Sequence, residues 1–324
     1  MTSLVGNAAA QAAFAAAMQG GSLHHAWLLV GPEGVGKASF ARAAALRMLV
    51  NGAYPGSVSP GDEVPATHPT RSLIDAGSHP DFRTLARLPK DADKPDQDLA
   101  RSITIAQVRS LQPMFATVPS MSARRVVLID AVDDLERGGA NALLKNLEEP
   151  PAGTIFLLVS HVPGRLLPTI RSRCRLLRFE ALAEDQVASV LRGQLPDADP
   201  DDIAALASNA DGAPGRALRH AGLDVAGMLR SLTAIATGGD VDNRERVRLA
   251  RALAGKAAAP RYAAFLDLAP SFIARAARTR SGQALKTALD AHAAARDLAG
   301  SALGLSLDPQ ATVFEMAGMV ARLR

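Results

Sequence analysis

Cysteine is all but missing from this chain of 324 residues: Cys174 stands alone. An intrachain disulfide and a cysteine-cluster zinc site are thereby excluded. Aromatic residues are scarce as well, at 4% against 48% hydrophobic residues overall. Aliphatic side chains, chiefly Ala and Leu, must therefore pack whatever core forms, and the length suffices for two or three domains. No apolar run approaches a membrane span, and the opening MTSLVGNAAAQAAFAAAMQG lacks the basic start and cleavage pattern of a secretory signal. The expectation is a cytoplasmic protein with no membrane partner. The formal net charge is only +4, yet residues 241–324 hold 13 Arg and Lys against 7 Asp and Glu. That excess fits either a solvated helical surface or a face near nucleic acid.

One further absence is a single hydroxyl. The stretch GPEGVGKAS at residues 31–39 spells the phosphate-loop pattern G-x-x-x-x-G-K-[ST] through Gly31, Gly36 and Lys37, but Ala38 stands where Ser or Thr would ligate Mg²⁺. The loop follows the apolar run AWLLV and precedes an Ala-rich helical segment, which is the strand, loop and helix context the motif requires. Glycines let successive N–H groups face phosphate oxygens, the helix N-terminus adds its positive end, and Lys37 reaches the outer phosphates. Ser39 does not replace the hydroxyl, because one residue along a helix turns roughly 100° away.

Apolar runs at 26–30, 125–130 (RVVLID), 154–160 (TIFLLVS) and 175–179 (RLLRF) alternate with helical patterns in the first half. Continuous apolar strands separated by helices predict a parallel sheet covered on both faces, hence an α/β nucleotide-binding architecture. Ile105, Val108, Leu111 and Phe115 recur at helical spacing, as do Ala140, Leu143, Leu144 and Leu147 before Pro150-Pro151. Residues 51–98, rich in Pro, Gly, Ser and Asp, read mostly as loop, with DFRTL at 81–85 as a short strand. His68 and His79 fall there; without cysteine or clustered carboxylate they read as surface residues, and no metal site is assigned. Short helices are expected at 184–195 and 201–210, with Pro214 starting another. From residue 225 onward no strand is expected and the last hundred residues read as a helical bundle, with a break at Gly238-Gly239.

Asp130, at the end of RVVLID, stands where an acidic residue acting through metal-bound water belongs. The next residue is Ala131, where an ATPase would place its catalytic Glu. Asp133 and Asp134 read as the start of the next helix, where negative charge suits the N-terminus. Losing both the ligand at 38 and the base at 131 removes several kcal/mol of transition-state stabilisation. The expectation is a loop that can bind a nucleotide without turning it over. In TIRSRCRLLRF, Arg171, Arg173, Arg175 and Arg178 either pair with acidic surface residues or, in the case of Arg173, act as an arginine finger in a neighbour's ATP site.

Together LHHAWLLVGPEGVGKASFA, HPDF, ITIAQVRSL, RRVVLIDAVDDLERGGANALLKNLEEPP, TIFLLVS, LLPTIRSRCRLLRF and GAPGRAL resemble the clamp-loader branch of the AAA+ proteins, and within it the delta-prime subunits of bacterial DNA polymerase III. The resemblance covers most of residues 22–220 in order. It implies an AAA+ α/β domain at 1–180 with helices on both faces of the sheet, a small helical lid at 181–225 and an all-α collar at 226–324. By position it makes Ser172-Arg173-Cys174 the SRC motif, with Arg173 the finger acting in trans. Gly31, Gly34, Gly36, Lys37 and Asp130, with Ser160 at the sensor-1 and Arg216 at the sensor-2 position, form a degenerate nucleotide site. The implied role is a non-hydrolysing subunit of the DNA polymerase III holoenzyme, a monomer alone. In the assembly its partners are the gamma/tau ATPase subunits, the delta subunit, the sliding clamp and primed DNA. No cofactor is required; binding of ATP or ADP without hydrolysis stays open, and the four-cysteine zinc module of many relatives cannot form. The alternatives are a self-sufficient AAA+ ATPase, for which Ala38 and Ala131 are unsuited, and a subunit that closes on template DNA through its own basic faces.

Overall fold

A computed structural model describes residues 4–20, 23–59, 62–91 and 99–324. The chain divides into two compact units, Met1–Leu182 and Ala183–Arg324. In the first, the described residues form one parallel five-stranded sheet: β1 (Ala26–Val30), β2 (Phe82–Ala86), β3 (Arg125–Asp130), β4 (Thr154–Ser160) and β5 (Arg175–Arg178), in the order β2-β3-β4-β1-β5. The central strands are those with unbroken apolar runs, and every residue of β1 and β4 is buried. The edge strands β2 and β5 mix buried with exposed positions instead, each having a neighbouring strand on one side only.

Helices α1 (Ala8–Gln19), α2 (Lys37–Ala53), α3 (Pro69–Asp75), α4 (Ile105–Arg109), α5 (Gln112–Phe115), α6 (Arg137–Glu148) and α7 (Pro168–Arg171) complete this unit. Side chains alternate along a strand, so the sheet has two distinct apolar faces. On one, Leu28, Val30, Val127, Ile129, Phe156 and Leu158 pack with Val108 of α4, Leu143 and Leu147 of α6 and Ile170 of α7. On the other, Trp27 meets Phe14 of α1 at 4.9 Å, and Phe40 of α2 bridges Phe14 and Phe179. Each such fully buried side chain contributes about 1.5–3 kcal/mol. Four of the few aromatics thus gather where two helices meet this sheet face.

Three local readings change. The stretch expected to be mostly loop contains α3, started by His68, whose Nδ1 accepts from Thr70 N while Pro69 opens the first turn; Pro at N1 is a helix signal that the loop-like composition masked. Residues 60, 61 and 92–98 of that stretch lie outside the described residues. The single helical pattern from Ile105 to Phe115 is two short helices, separated at Ser110 and Leu111 with Pro113 opening the second. His79 is buried, at 1% exposure, not on the surface. Its Nδ1 accepts from Asp81 N, and the Asp81 carboxylate accepts from the backbone N–H groups of Ser120, Met121 and Ser122 at 2.7–3.0 Å. In HPDF, then, a carboxylate fastens the loop before β3. Among the described residues no group of three or more His, Cys, Asp or Glu side chains could hold a metal.

The second unit is helical throughout: α8 (Glu184–Gln194), α9 (Pro200–Asn209), α10 (Pro214–Arg219), α11 (Val225–Gly238), α12 (Arg244–Leu253), α13 (Ala259–Arg278), α14 (Gly282–Gly304) and α15 (Pro309–Ala321). Proline opens α9, α10 and α15, where its missing N–H costs nothing. Gly239, at φ +73°, ends α11 in the left-handed conformation. Phe265, Leu268, Ile273, Val313, Met316 and Val320 supply much of its core. No helix among the described residues is long and apolar enough to cross a membrane.

Candidate functional site

Parallel register brings the loops after β1, β3 and β4 to one edge of the sheet, since Val30 pairs with Ser160 and Asp130 with Val159. That carboxyl edge is where open α/β sheets bind ligands. The loop after β1 holds Gly31, Gly34 and Gly36 at φ +148°, +81° and +100°, conformations that side chains rarely adopt. Close approach adds to this: a Cβ on Gly31 would stand 2.1 Å from the carbonyl oxygen of Phe179, and one on Gly36 2.9 Å from the Leu4 side chain.

Lys37 opens α2 and is 2% exposed; its Nζ donates to the carbonyls of Gly31 and Pro32 at 2.7 and 2.6 Å. Burial lowers its pKa to about 8, against the opposing pull of Asp130, Asp133 and Glu33. Burial likewise raises the Asp130 carboxyl above its ordinary range, against the charges of His161 and Lys37. His161 is pushed down by burial and then by Lys37. These groups form one electrostatic cluster around the mouth of the loop.

Ser160 is fully buried, and its Oγ donates to Asp133 Oδ1 at 2.8 Å while His161 N donates to Asp133 Oδ2 at 2.5 Å. Asp133 and Asp134 do not begin the helix as expected. They form the 3₁₀ turn Val132–Asp134, and α6 starts only at Arg137. Their carboxylates point sideways instead, Asp133 to the end of β4 and Asp134 to Arg87 at 3.0 Å. His161 is therefore a member of the site that sequence reasoning passed over, and Asp133 one that it assigned to the start of the helix instead. The only signal for Asp133 was its place three residues beyond the end of β3.

A separate exposed edge lies at α7 and β5. Cys174 turns inward against the core, and burial pushes its thiol up to about 12, which removes it from redox chemistry at neutral pH. Its neighbours face out: Arg173 Nη2 pairs with Glu148 Oε1 at 2.7 Å and Nη1 donates to Thr169 O at 3.0 Å. Arg175 lies over the Trp27 ring at 5.0 Å, and Arg171 donates to Pro163 O at 3.4 Å. The partners of Arg173 are thus the preceding helix α7, the adjacent Ser172 and the end of α6, none of them from the glycine loop.

The family model described as "DNA polymerase III, delta subunit" matches residues 6–183, which carry the glycine loop, the Asp130 strand, Ser160 and the arginine edge. The chain belongs to that family. Among curated relatives of this delta-subunit family member, DNA polymerase III subunit delta' of Pseudomonas aeruginosa is 40% identical over 150 residues, 46% of this chain and 41% of the relative. The Escherichia coli protein of the same name is 36% identical over 146 residues, 45% of this chain and 41% of that one. DNA polymerase III subunit gamma of Buchnera aphidicola is 32% identical over 178 residues, 53% of this chain and 42% of the relative. The matched segment spans less than half the length of each of these three relatives. The AAA+ fold class implied by the family resemblance, a parallel sheet with helices on both faces followed by a helical region, is the one observed.

Arg216, expected at the sensor-2 position, lies in the second unit. Its Nε and Nη2 donate to the two carboxylate oxygens of Asp267, each at 2.9 Å, with Nη1 on Asp211 and Nη2 also on Ser271 at 2.7 Å. This is a bidentate guanidinium and carboxylate clamp between α10 and α13. All of its partners belong to the helical unit.

Proposed function

We propose that this chain is the non-hydrolysing, delta-prime-type subunit of a replicative clamp loader, which completes a neighbouring subunit's ATP site so that a sliding clamp is loaded onto primed DNA. The observation that carries the reading is Arg173: a guanidinium held on an exposed edge, beside an inward-turned cysteine, away from the chain's own glycine loop. Supplied to a neighbour, such a group stabilises charge on the transferring phosphoryl and accelerates cleavage by roughly 10³ or more.

The chain's own loop suits binding better than hydrolysis. Its glycine conformations, the buried Lys37 and the start of a 17-residue helix fit a nucleotide polyphosphate. Gly31, Gly34, Gly36 and Lys37 would hold it. Asp130 and Ser160 would stand near its outer end. A bound Mg²⁺ would supply charge neutralisation, but Ala38 offers it no ligand and Ala131 no base. Asp133, the remaining carboxylate that could serve, already accepts two hydrogen bonds. The partners on this reading are gamma/tau ATPase subunits and the delta subunit, met in the cytoplasm by a protein that is a monomer alone. Residues 181–225 would act as lid and 226–324 as collar.

The test is ATP turnover by a loader reconstituted with partner ATPase subunits, clamp and primed DNA. Arg173→Ala is expected to reduce turnover by roughly 10³ at the site it completes, with Lys37→Ala close to wild type. If Lys37→Ala abolishes turnover while Arg173→Ala does not change it, the chain is a self-sufficient ATPase and the proposed role fails.

A further inference from the structure

We infer that Glu148 is a positioning residue for Arg173, fixing the guanidinium in place before a neighbour's nucleotide arrives; the inference rests on the function proposed above. The first observation is where Glu148 sits. It is the last helical residue of α6, and Glu149 follows it as the C-cap. The C-terminal end of a helix carries partial negative charge, so a carboxylate there is disfavoured. Helix stability therefore does not account for Glu148, which has a partner elsewhere.

That partner is Arg173. The Nη2 to Oε1 separation is 2.7 Å, a charge-assisted hydrogen bond, and Nη1 adds a second anchor on Thr169 O at 3.0 Å. The two side chains are 34% and 49% exposed. Pairs this open to water contribute little to stability and are screened by salt. What the contact does supply is orientation. An arginine on an exposed edge has many rotamers, and each must be given up when the group engages a phosphate. Anchors on two separate nitrogens remove most of that freedom in advance, and preorganised charge is what phosphoryl transfer requires.

The arrangement also limits how Glu148 can act. It lies on the chain that offers the arginine, and it touches Arg173 rather than a reacting atom, so its effect must pass through the guanidinium. Removing it should reduce the rate of the chemical step and leave the neighbour's affinity for ATP unchanged. Glu148→Gln keeps an acceptor oxygen without the charge and should fall between wild type and Glu148→Ala.

The experiment measures kcat and KM for ATP in the reconstituted loader with clamp and primed DNA, using Glu148→Ala, Glu148→Gln, Arg173→Ala and the Glu148→Ala/Arg173→Ala double variant, with thermal midpoints for each. Expected is a fall in kcat of about fivefold for Glu148→Ala at unchanged KM and midpoint, a smaller fall for Glu148→Gln, and no further loss on the Arg173→Ala background. Wild-type kcat in Glu148→Ala overturns the inference, as does an equal proportional loss when Arg173 is already gone. If Arg173→Ala itself turns over at the wild-type rate, the proposed function fails and this inference fails with it. Loss with Arg173→Ala but not with Glu148→Ala sinks the inference alone.

Discussion

Asp133 joins the end of β4 to the turn after β3: its two carboxylate oxygens accept from the Ser160 hydroxyl and from the His161 amide. A half-buried acceptor that satisfies two donors, one of them the fully buried Ser160 hydroxyl, cannot be removed cheaply, because that hydroxyl is left without a partner. Asp133→Ala is expected to lower unfolding free energy by about 1–3 kcal/mol, and Ser160→Ala by about 1 kcal/mol. Urea denaturation midpoints at constant slope check both values.

Affinity for nucleotide should depend on pH through Lys37. Burial brings its pKa down to about 8, so the charged form that attracts phosphate is depleted as pH rises through that value. His161 is held below its ordinary range by burial and by Lys37 and is neutral throughout. Binding of ADP is expected to weaken steadily between pH 7 and pH 9, accompanied by proton uptake. Lys37→Arg, which stays charged, should flatten the profile. Calorimetric titration in buffers of different ionisation enthalpy reads both effects.

Gly31 is constrained twice, by φ +148° and by the Phe179 carbonyl oxygen that a Cβ would meet at 2.1 Å. That neighbour is backbone, not a flexible side-chain end that could turn aside. Gly31→Ala is expected to destabilise the first unit by about 2–4 kcal/mol. A thermal midpoint equal to wild type would show that the loop and residue 179 separate freely.

Acid should destabilise the helical unit through Asp240. Burial alone would raise this carboxyl, but hydrogen bonds from Glu245 N, Arg246 N and the Arg246 side chain hold it below the ordinary range. A depressed folded pKa contributes stability that is present above the unfolded value and lost as pH falls through the folded one. Asp240→Asn is therefore expected to lower stability at pH 7 and to flatten its decline below about pH 4. Denaturant midpoints of the full chain across pH 2–7, followed by circular dichroism, check the shape.

Strands were legible where the chain is simple. The runs at 26–30, 125–130 and 154–160 are found with those same ends as β1, β3 and β4, because a strand buried on both faces shows as unbroken apolar sequence. The glycine loop was legible for a similar reason: its conformations leave few other residues permissible. Asp133, His79 and Glu148 were not, since each is defined by a partner distant in sequence or by burial that its residue type disfavours. Composition misled at α3, where one proline at the right position outweighs a loop-like neighbourhood. The arginine edge was half legible, its residues in the motif but their inward or outward facing set by Cys174 and Trp27.

The place of β5 at the rim of the sheet carries a separate consequence. Its outer side offers a row of backbone N–H and C=O groups to any passing strand, and Leu176 is 46% exposed on it. Bare rims of this kind invite strand-to-strand stacking between molecules, and flanking cations deter it. Arg175 and Arg178 bracket Leu176 on that rim, so the charge there opposes stacking of one copy of the chain on another.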